Sequence, residues 1–286
     1  MSNNPRREHP STYFVQDRDD QDEFTRLQLQ DQMITTSMRG VLPEQPDLTS
    51  FKRVLDIGCG TGGWLIETAK TYPGMTQLFG VDISGKMLNY ARTQAEANQV
   101  NDRVEFVVMD ALRMLEFPSS FFDLVNMRIA QSWIRIWDWP KLLQEALRVT
   151  RPGGIIRFTE VEVGTESTSA ALNCLNQLLL QALYRAGHYF VLESNGLTAH
   201  LARLMHQHGV QHVQTHAYTF QYRGGTPEGQ LCAEDTKFVY RTVLPFLRKW
   251  TQVPDDYEDI YQQALVDMQA PDFVETWKLL TAWGNK

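Results

Sequence analysis

The chain has 286 residues, 34 acidic against 27 basic, and a formal charge of −7. That length suits one α/β domain with insertions, and an acidic balance without a Lys/Arg block argues against a polyanionic partner such as nucleic acid. Three scattered cysteines, Cys59, Cys174 and Cys232, argue against a disulfide framework, and the polar N-terminus and lack of a bilayer-length apolar run predict a cytoplasmic protein without membrane insertion.

Residues 1–12 are polar, contain Pro5 and Pro10, and are expected to form a mobile arm. From Asp20 to Arg39, Phe24, Leu27, Ile34 and Met38 recur at spacings of three, seven and four, which predicts an amphipathic helix stopped by Gly40 and Pro43. Val54, Leu55 and Ile57 form the apolar run of a strand buried on both faces. It passes directly into Gly58, Gly60, Gly62 and Gly63, before a helix from about Trp64. Glycines there permit a tight strand-to-helix turn and let backbone N–H groups approach an anion at the helix N-terminus. The residues leave the ligand open. Gly58, Gly60 and Gly63 satisfy GxGxxG, the dinucleotide fingerprint, while Asp56 with Gly58, Gly60 and Gly62 satisfies the acidic-x-Gly-x-Gly-x-Gly loop that binds S-adenosylmethionine.

A second strand is predicted at Gln77 to Asp82, followed by a helix with Met87, Leu88, Ala91 and Ala95 on one side. A third strand runs from Val104 to Asp110 and a fourth from Phe122 to Met127; a helix from about Pro140 to Val149 then leads to a fifth strand at Ile155 to Val161. Asp56, Asp82 and Asp110 are separated by 26 and 28 residues, the repeat of a strand-helix unit. Such alternation predicts a doubly wound α/β sheet with ligands outside the carboxyl ends of its strands, where all three acids fall. A carboxylate ending the second strand suits ribose hydroxyls, and one ending the third suits an adenine amino group.

The segments VLDIGCGTG, GVDIS, VVMDAL, FDLVNMR and LRVTRPGG, in this order over roughly residues 50–165, resemble the successive motifs of class I S-adenosylmethionine-dependent methyltransferases. EFTRLQLQ, DWPKLLQEALRVTRPGG and the FTE strand end further resemble the UbiE/LaeA-like small-molecule branch. The resemblance implies a Rossmann-like seven-stranded sheet with its last strand antiparallel, S-adenosylmethionine as cofactor and S-adenosylhomocysteine as product. It implies a cofactor site of Asp56, Gly58, Cys59, Gly60, Gly62, Asp82, Ile83, Met87, Asp110, Ala111, Leu112, Met127 and Arg128. In it the glycines line the methionine part, Asp56 holds the ammonium, Asp82 the ribose, and Asp110 with Ala111 and Leu112 the adenine, with Ile83 and Met87 packed on the ring. An NAD-dependent oxidoreductase would need a second mononucleotide-binding half, and residues 150–286 show no second glycine loop after a strand.

Beyond the fifth strand, Ser169 to Arg185 reads as a helix apolar over much of its surface, followed by Gly187-His188-Tyr189-Phe190. A helix at Thr198 to Gln207 and a strand near Val213 to Tyr222 return to the core pattern. Residues 226–272 hold two further helical patterns, one interrupted by Pro245, and Glu275 to Trp283 reads as the closing strand. The expected organisation is an arm and helix over 1–45, a core of 46–165, 197–225 and 273–286, and helical caps at 166–196 and 226–272 over the active site. Methyl transfer by in-line displacement needs alignment, exclusion of water and, for many acceptors, a base. Tyr13, Phe14, Trp133, Trp137 and Tyr189 are the candidate substrate wall, and Glu160 and His188 the candidate catalytic residues, His188 as general base. His206, His208, His212 and His216 form no facing pair on the predicted elements, so no metal is expected. Asn126-Met127-Arg128-Ile129 lacks the Asn/Asp-Pro-Pro-aromatic motif of enzymes that methylate amino groups of nucleobases or glutamine. The expected function is methylation of a small, partly apolar or aromatic metabolite by a monomer or homodimer; the alternative is a non-methylating cyclase or regulator on the same fold.

Overall fold

In the computed structural model, which describes residues 13–15, 21–164 and 166–286, the chain folds into sixteen strands and α-helices. The expected arm at 1–12 lies outside the described residues. In chain order they are α1 (Gln21–Ser37), β1 (Arg53–Ile57), α2 (Gly63–Thr71), β2 (Gln77–Asp82), α3 (Gly85–Ala97), β3 (Val104–Val108), β4 (Phe122–Arg128), α4 (Trp139–Val149) and β5 (Thr150–Val161). There follow α5 (Ala170–Arg185), α6 (Thr198–Gln207), β6 (Gln211–Arg223), α7 (Pro227–Thr242), α8 (Leu244–Trp250), α9 (Tyr257–Asp267) and β7 (Val274–Asn285).

The strands form one sheet in the order β3-β2-β1-β4-β5-β7-β6. β1 pairs in parallel with β2 and β4, while β7 runs antiparallel to both β5 and β6. The order reverses at β1, so the crevice beyond its carboxyl end opens where the glycine loop begins. Alternation along β1 feeds two cores. Val54 packs with Leu65 of α2 and Leu88 and Ala91 of α3, whereas Leu55 and Ile57 pack with Leu142 and Leu143 of α4 and Leu201 of α6. Each of these three β1 side chains is fully buried, a contribution of about 1.5–3 kcal/mol apiece.

The structure departs from the sequence pattern where tertiary contacts intervene. β3 ends at Val108, and Asp110 lies beyond it in a turn, accepting from the Leu112 N–H at 2.9 Å. Between Thr226 and Asp272 there are three helices rather than two, because Pro245 does not kink a helix: it occupies the first turn of α8, where its missing N–H has no partner to lose. In β6 the pairing shifts between Gln211 and Gln214, and His212 has φ 51°, which breaks the alternation that would set it on one face with His216.

α1 also differs. Glu23 and Arg26 are buried on the face that meets α7, against Thr242 and Asp235, while Phe24 packs edge-on against Tyr90 of α3. A guanidinium and carboxylate are tolerated there because they pair: Arg26 Nε and Nη2 donate to Glu23 at 2.8 and 2.7 Å. α1 therefore packs as part of the cap side, together with α5 and α7, which reach the same cavity.

Candidate active site

The glycine loop is tied down from several directions. Cys59 N–H donates to Val81 O at 3.0 Å, and Gly60 N–H donates to the Asp82 carboxylate at 3.1 Å. The other Asp82 oxygen accepts from Ser84 N–H at 2.8 Å, and the Ser84 hydroxyl caps α3 by accepting from Met87 N–H. Gly58 has φ 67°, and the Trp133 indole lies 3.3 Å from where its Cβ would stand, so this position needs glycine for both conformation and room. Desolvation and the nearby carboxylates hold the Cys59 thiol well above its ordinary pKa, so it stays protonated.

Asp56 begins a buried polar chain. Its carboxylate accepts from Asn126 Nδ2 at 2.8 Å, Asn126 Oδ1 accepts from Arg157 at 2.8 Å, and Arg157 pairs with Glu44 at 2.5 Å. Burial raises the Asp56 pKa to about 7 against the opposing pull of Asn126 and Arg157. A buried carboxylate in that state gains from an added cation.

These groups open onto a cavity of about 510 Å³. Of the sequence-derived cofactor set, Asp56, Gly58, Cys59, Gly60, Asp82, Ile83, Met87, Asp110, Ala111, Leu112 and Arg128 line it, as do Tyr13, Phe14 and Trp133 of the expected substrate wall. Gly62 and Met127 do not. Gly62 faces Phe106 and Ala91, where its absent side chain allows α2 to close on the sheet. Met127 is fully buried in the core on the α4 side of the sheet.

Both expected catalytic residues are elsewhere. His188 is fully buried away from the cavity wall; its Nδ1 donates to Ile134 O at 2.8 Å, and its ring meets Phe246 edge-on. Its Nε2 has no partner among the described residues, and burial lowers its pKa to about 4, so the ring is neutral. Glu160 is fully buried too. It accepts from Ala130 N–H at 2.9 Å and Gln131 N–H at 3.2 Å, and burial raises its pKa to about 8. Ile129, just before, has φ 54°, an unfavourable conformation for a β-branched residue. Glu160 thus pins a strained turn that carries Gln131, Ser132 and Trp133 onto the cavity wall. Tyr189 assists from behind, its hydroxyl donating to Gln131 Oε1 at 2.6 Å. Trp137 is 59% exposed, lying over Gly187 and beside Arg135, outside the cavity.

The remaining wall comes from residues that sequence reasoning missed. α1 supplies Arg26, Leu27, Gln30 and Asp31; α5 supplies Asn176, Leu179 and Leu183; α7 supplies Asp235, Val239 and Tyr240; β7 supplies Glu275 and Trp277. Asp31 pairs with Arg128, which also donates to Thr35. One local signal existed: Glu23, Arg26 and Gln30 recur at three and four residues beside the apolar stripe of α1, marking a polar strip on a face that packs.

Comparison with known proteins bears on this geometry. Residues 54–154 match the family model described as a methyltransferase domain. Over 133 residues the chain is 35% identical to the 27-O-demethylrifamycin SV methyltransferase of Amycolatopsis mediterranei, covering 46% of each chain. Over 109 residues it is 37% identical to a demethylmenaquinone methyltransferase of Lactiplantibacillus plantarum, covering 38% of this chain and 45% of that one. The chain thus spans less than half the length of these relatives. Among solved structures, phosphoethanolamine N-methyltransferase 2 of Haemonchus contortus, in complex with phosphomonomethylethanolamine and S-adenosylhomocysteine, shares the fold: TM-score 0.52, 22% identity, 88% of this chain and 52% of that one. Family match and sheet order coincide on the segment that carries the glycine loop and the acids of β1 and β2, so that residues 54–154 are similar to a methyltransferase domain in both sequence and fold.

Proposed function

We propose that the protein binds S-adenosylmethionine in the loop side of the cavity and methylates a small, partly apolar or aromatic molecule on the cap side, with S-adenosylhomocysteine as product. The observation that carries this reading is continuity: one cavity joins Asp56, Asp82 and Asp110 to apolar and aromatic walls from α1, α5, α7 and β7. Its volume of about 510 Å³ is that of a small-molecule site.

The residues fit the cofactor. Asp56, buried and short of a cation, suits an amino-acid ammonium; Asp82 suits ribose hydroxyls; Ile83, Met87, Met109 and Leu112 offer apolar contact to a base. When bound, the cofactor supplies an electrophilic methyl group on a sulfonium. The chain's own contribution is alignment and exclusion of water. Trp133 closes over Gly58, and Phe14, tied by its N–H to Ser132 O at 2.8 Å, holds the adjoining wall. The Tyr13 hydroxyl is bound to Glu23, which faces that wall to the interior of α1.

We place the protein in the cytoplasm, as a monomer or homodimer acting on a small molecule rather than nucleic acid. Three free cysteines and the acidic cavity support this, and no helix among the described residues is long and apolar enough to cross a membrane. The expected organisation into a core with caps at 166–196 and 226–272 is part of the same proposal, supported by the α5 and α7 residues on the wall.

Incubation with methyl-labelled S-adenosylmethionine and a panel of small acceptors tests the proposal. Label is expected in a product, with calorimetric binding of S-adenosylhomocysteine. Binding without transfer to any acceptor would favour a non-methylating cyclase or regulator, and no binding at all would overturn the reading.

A further inference from the structure

The cap side of the cavity contains an imbalance of buried charge. Arg26 from α1, Asp235 from α7 and Glu275 from β7 line it, beside Asn176 and Tyr240. Asp235 is 2% exposed and Glu275 4%. Buried charges need partners, so each must be traced. Arg26 gives Nε and Nη2 to Glu23, and its Nη1 remains 3.8 Å from Asp235 Oδ1, outside hydrogen-bond reach. Asp235 Oδ1 consequently has no hydrogen bond among the described residues. Glu275 accepts from Cys232 Sγ at 3.1 Å, a weak donor, and the Trp277 side chain is a further donor to its carboxyl. Asn176 Oδ1 receives the Tyr240 hydroxyl, and its amide nitrogen, near Glu275, makes no hydrogen bond of normal geometry.

Two carboxylates, Glu23 and Asp235, therefore face the one guanidinium of Arg26, and a third, Glu275, is close enough to Asp235 to repel it, so the formal charges of the cluster do not balance. The other guanidinium groups on the cavity wall are engaged: Arg128 with Asp31 and Arg113 with Asp110. Desolvation, with repulsion from Glu23 and Glu275, raises the Asp235 pKa to about 7, and burial raises that of Glu275. Around the acids the wall is apolar: Leu179, Leu183, Val239 and Trp277.

We propose that this part of the cavity binds a protonated aliphatic amine carried on an apolar or aromatic body, with its ammonium between Asp235 and Glu275 and its body against Leu179, Leu183, Val239 and Trp277. An ammonium brings three donors and the missing positive charge. A hydroxyl brings one donor and no charge, and an anion meets like charge. The inference narrows the substrate class of the proposed methyltransferase, but it is read from the cap-side residues alone.

The test is calorimetric binding of phenethylamine and tryptamine against their neutral isosteres, 2-phenylethanol and tryptophol, with and without saturating S-adenosylhomocysteine. The amines are expected to bind at least about tenfold tighter, as a charge-assisted hydrogen bond in place of a neutral one warrants. D235N and E275Q should each reduce that ratio and together bring it near unity, with S-adenosylhomocysteine affinity unchanged. Equal binding of alcohols and amines, no binding of either amine, or a ratio that survives the double substitution would overturn the proposal. If D235N does not fold by circular dichroism, the parent ratio and E275Q decide. Failure of the cofactor reading has a different signature: no heat from S-adenosylhomocysteine, with the amine preference intact.

Discussion

Gly62 and Phe106 meet so closely that a Cβ on Gly62 would stand 2.7 Å from the aromatic ring, and the φ of 77° is one that side chains resist. Gly62→Ala is expected to destabilise the fold by about 2–5 kcal/mol, the sum of left-handed strain and overpacking. Denaturant unfolding measures this. Adding Phe106→Leu should recover part of the loss, with a coupling of about 0.5–3 kcal/mol. Simple additivity would mean that the two residues do not restrict one another.

Asp82 holds the loop and faces the cavity at once, through its bonds to Gly60 and Ser84. Asp82→Ala is expected to weaken S-adenosylhomocysteine binding about 10- to 150-fold, the equivalent of a charged hydrogen bond of about 1.5–3 kcal/mol. Calorimetry reads the affinity, and a melting curve checks that the fold is retained. Unchanged affinity would remove Asp82 from the cofactor's binding groups.

His188 is held neutral, with a folded pKa of about 4 against an ordinary 6.5. A depressed pKa stabilises the fold fully above pH 6.5, and that contribution is lost as pH falls toward 4. Its size is about 3 kcal/mol at most. His188→Asn, which can still donate to Ile134 O, should flatten the stability profile between pH 4 and 6.5. The pH dependence of methyl transfer above pH 6 should keep its shape; a shifted profile would return His188 to the chemistry.

Glu160 gives the opposite sign. Its folded pKa of about 8 exceeds the ordinary 4.5, so its contribution is complete below pH 4.5 and declines as pH rises through 8. Glu160→Gln should remove that slope and leave the variant relatively more stable at pH 9 than at pH 5. Chemical denaturation across this range tests it, and parallel profiles for variant and parent would show that the buried carboxyl does not titrate in the fold.

The strands that carry Asp56 and Asp82 were legible in the sequence because each is a local object, an apolar run with an acid at or next to its last position, repeated at the length of one strand-helix unit. Parallel winding then sends such strand ends to one edge of the sheet, so three acids and a glycine loop could be read together before any packing was known. Asp110 was legible for its place on the edge, though β3 stops two residues short of it. The cap side was not legible, since Arg26, Asn176, Asp235 and Glu275 are scattered over some 250 residues and share nothing but a place of burial. The same reason misdirected the reading of His188 and Glu160: residue type announces what a side chain can do, but desolvation and hydrogen bonding to Ile134, Ala130 and Gln131 decide what it does. Periodicity and turn chemistry are short-range and belong to the sequence; charge balance in a cavity depends on which distant side chains leave water together, and only the tertiary structure decides that.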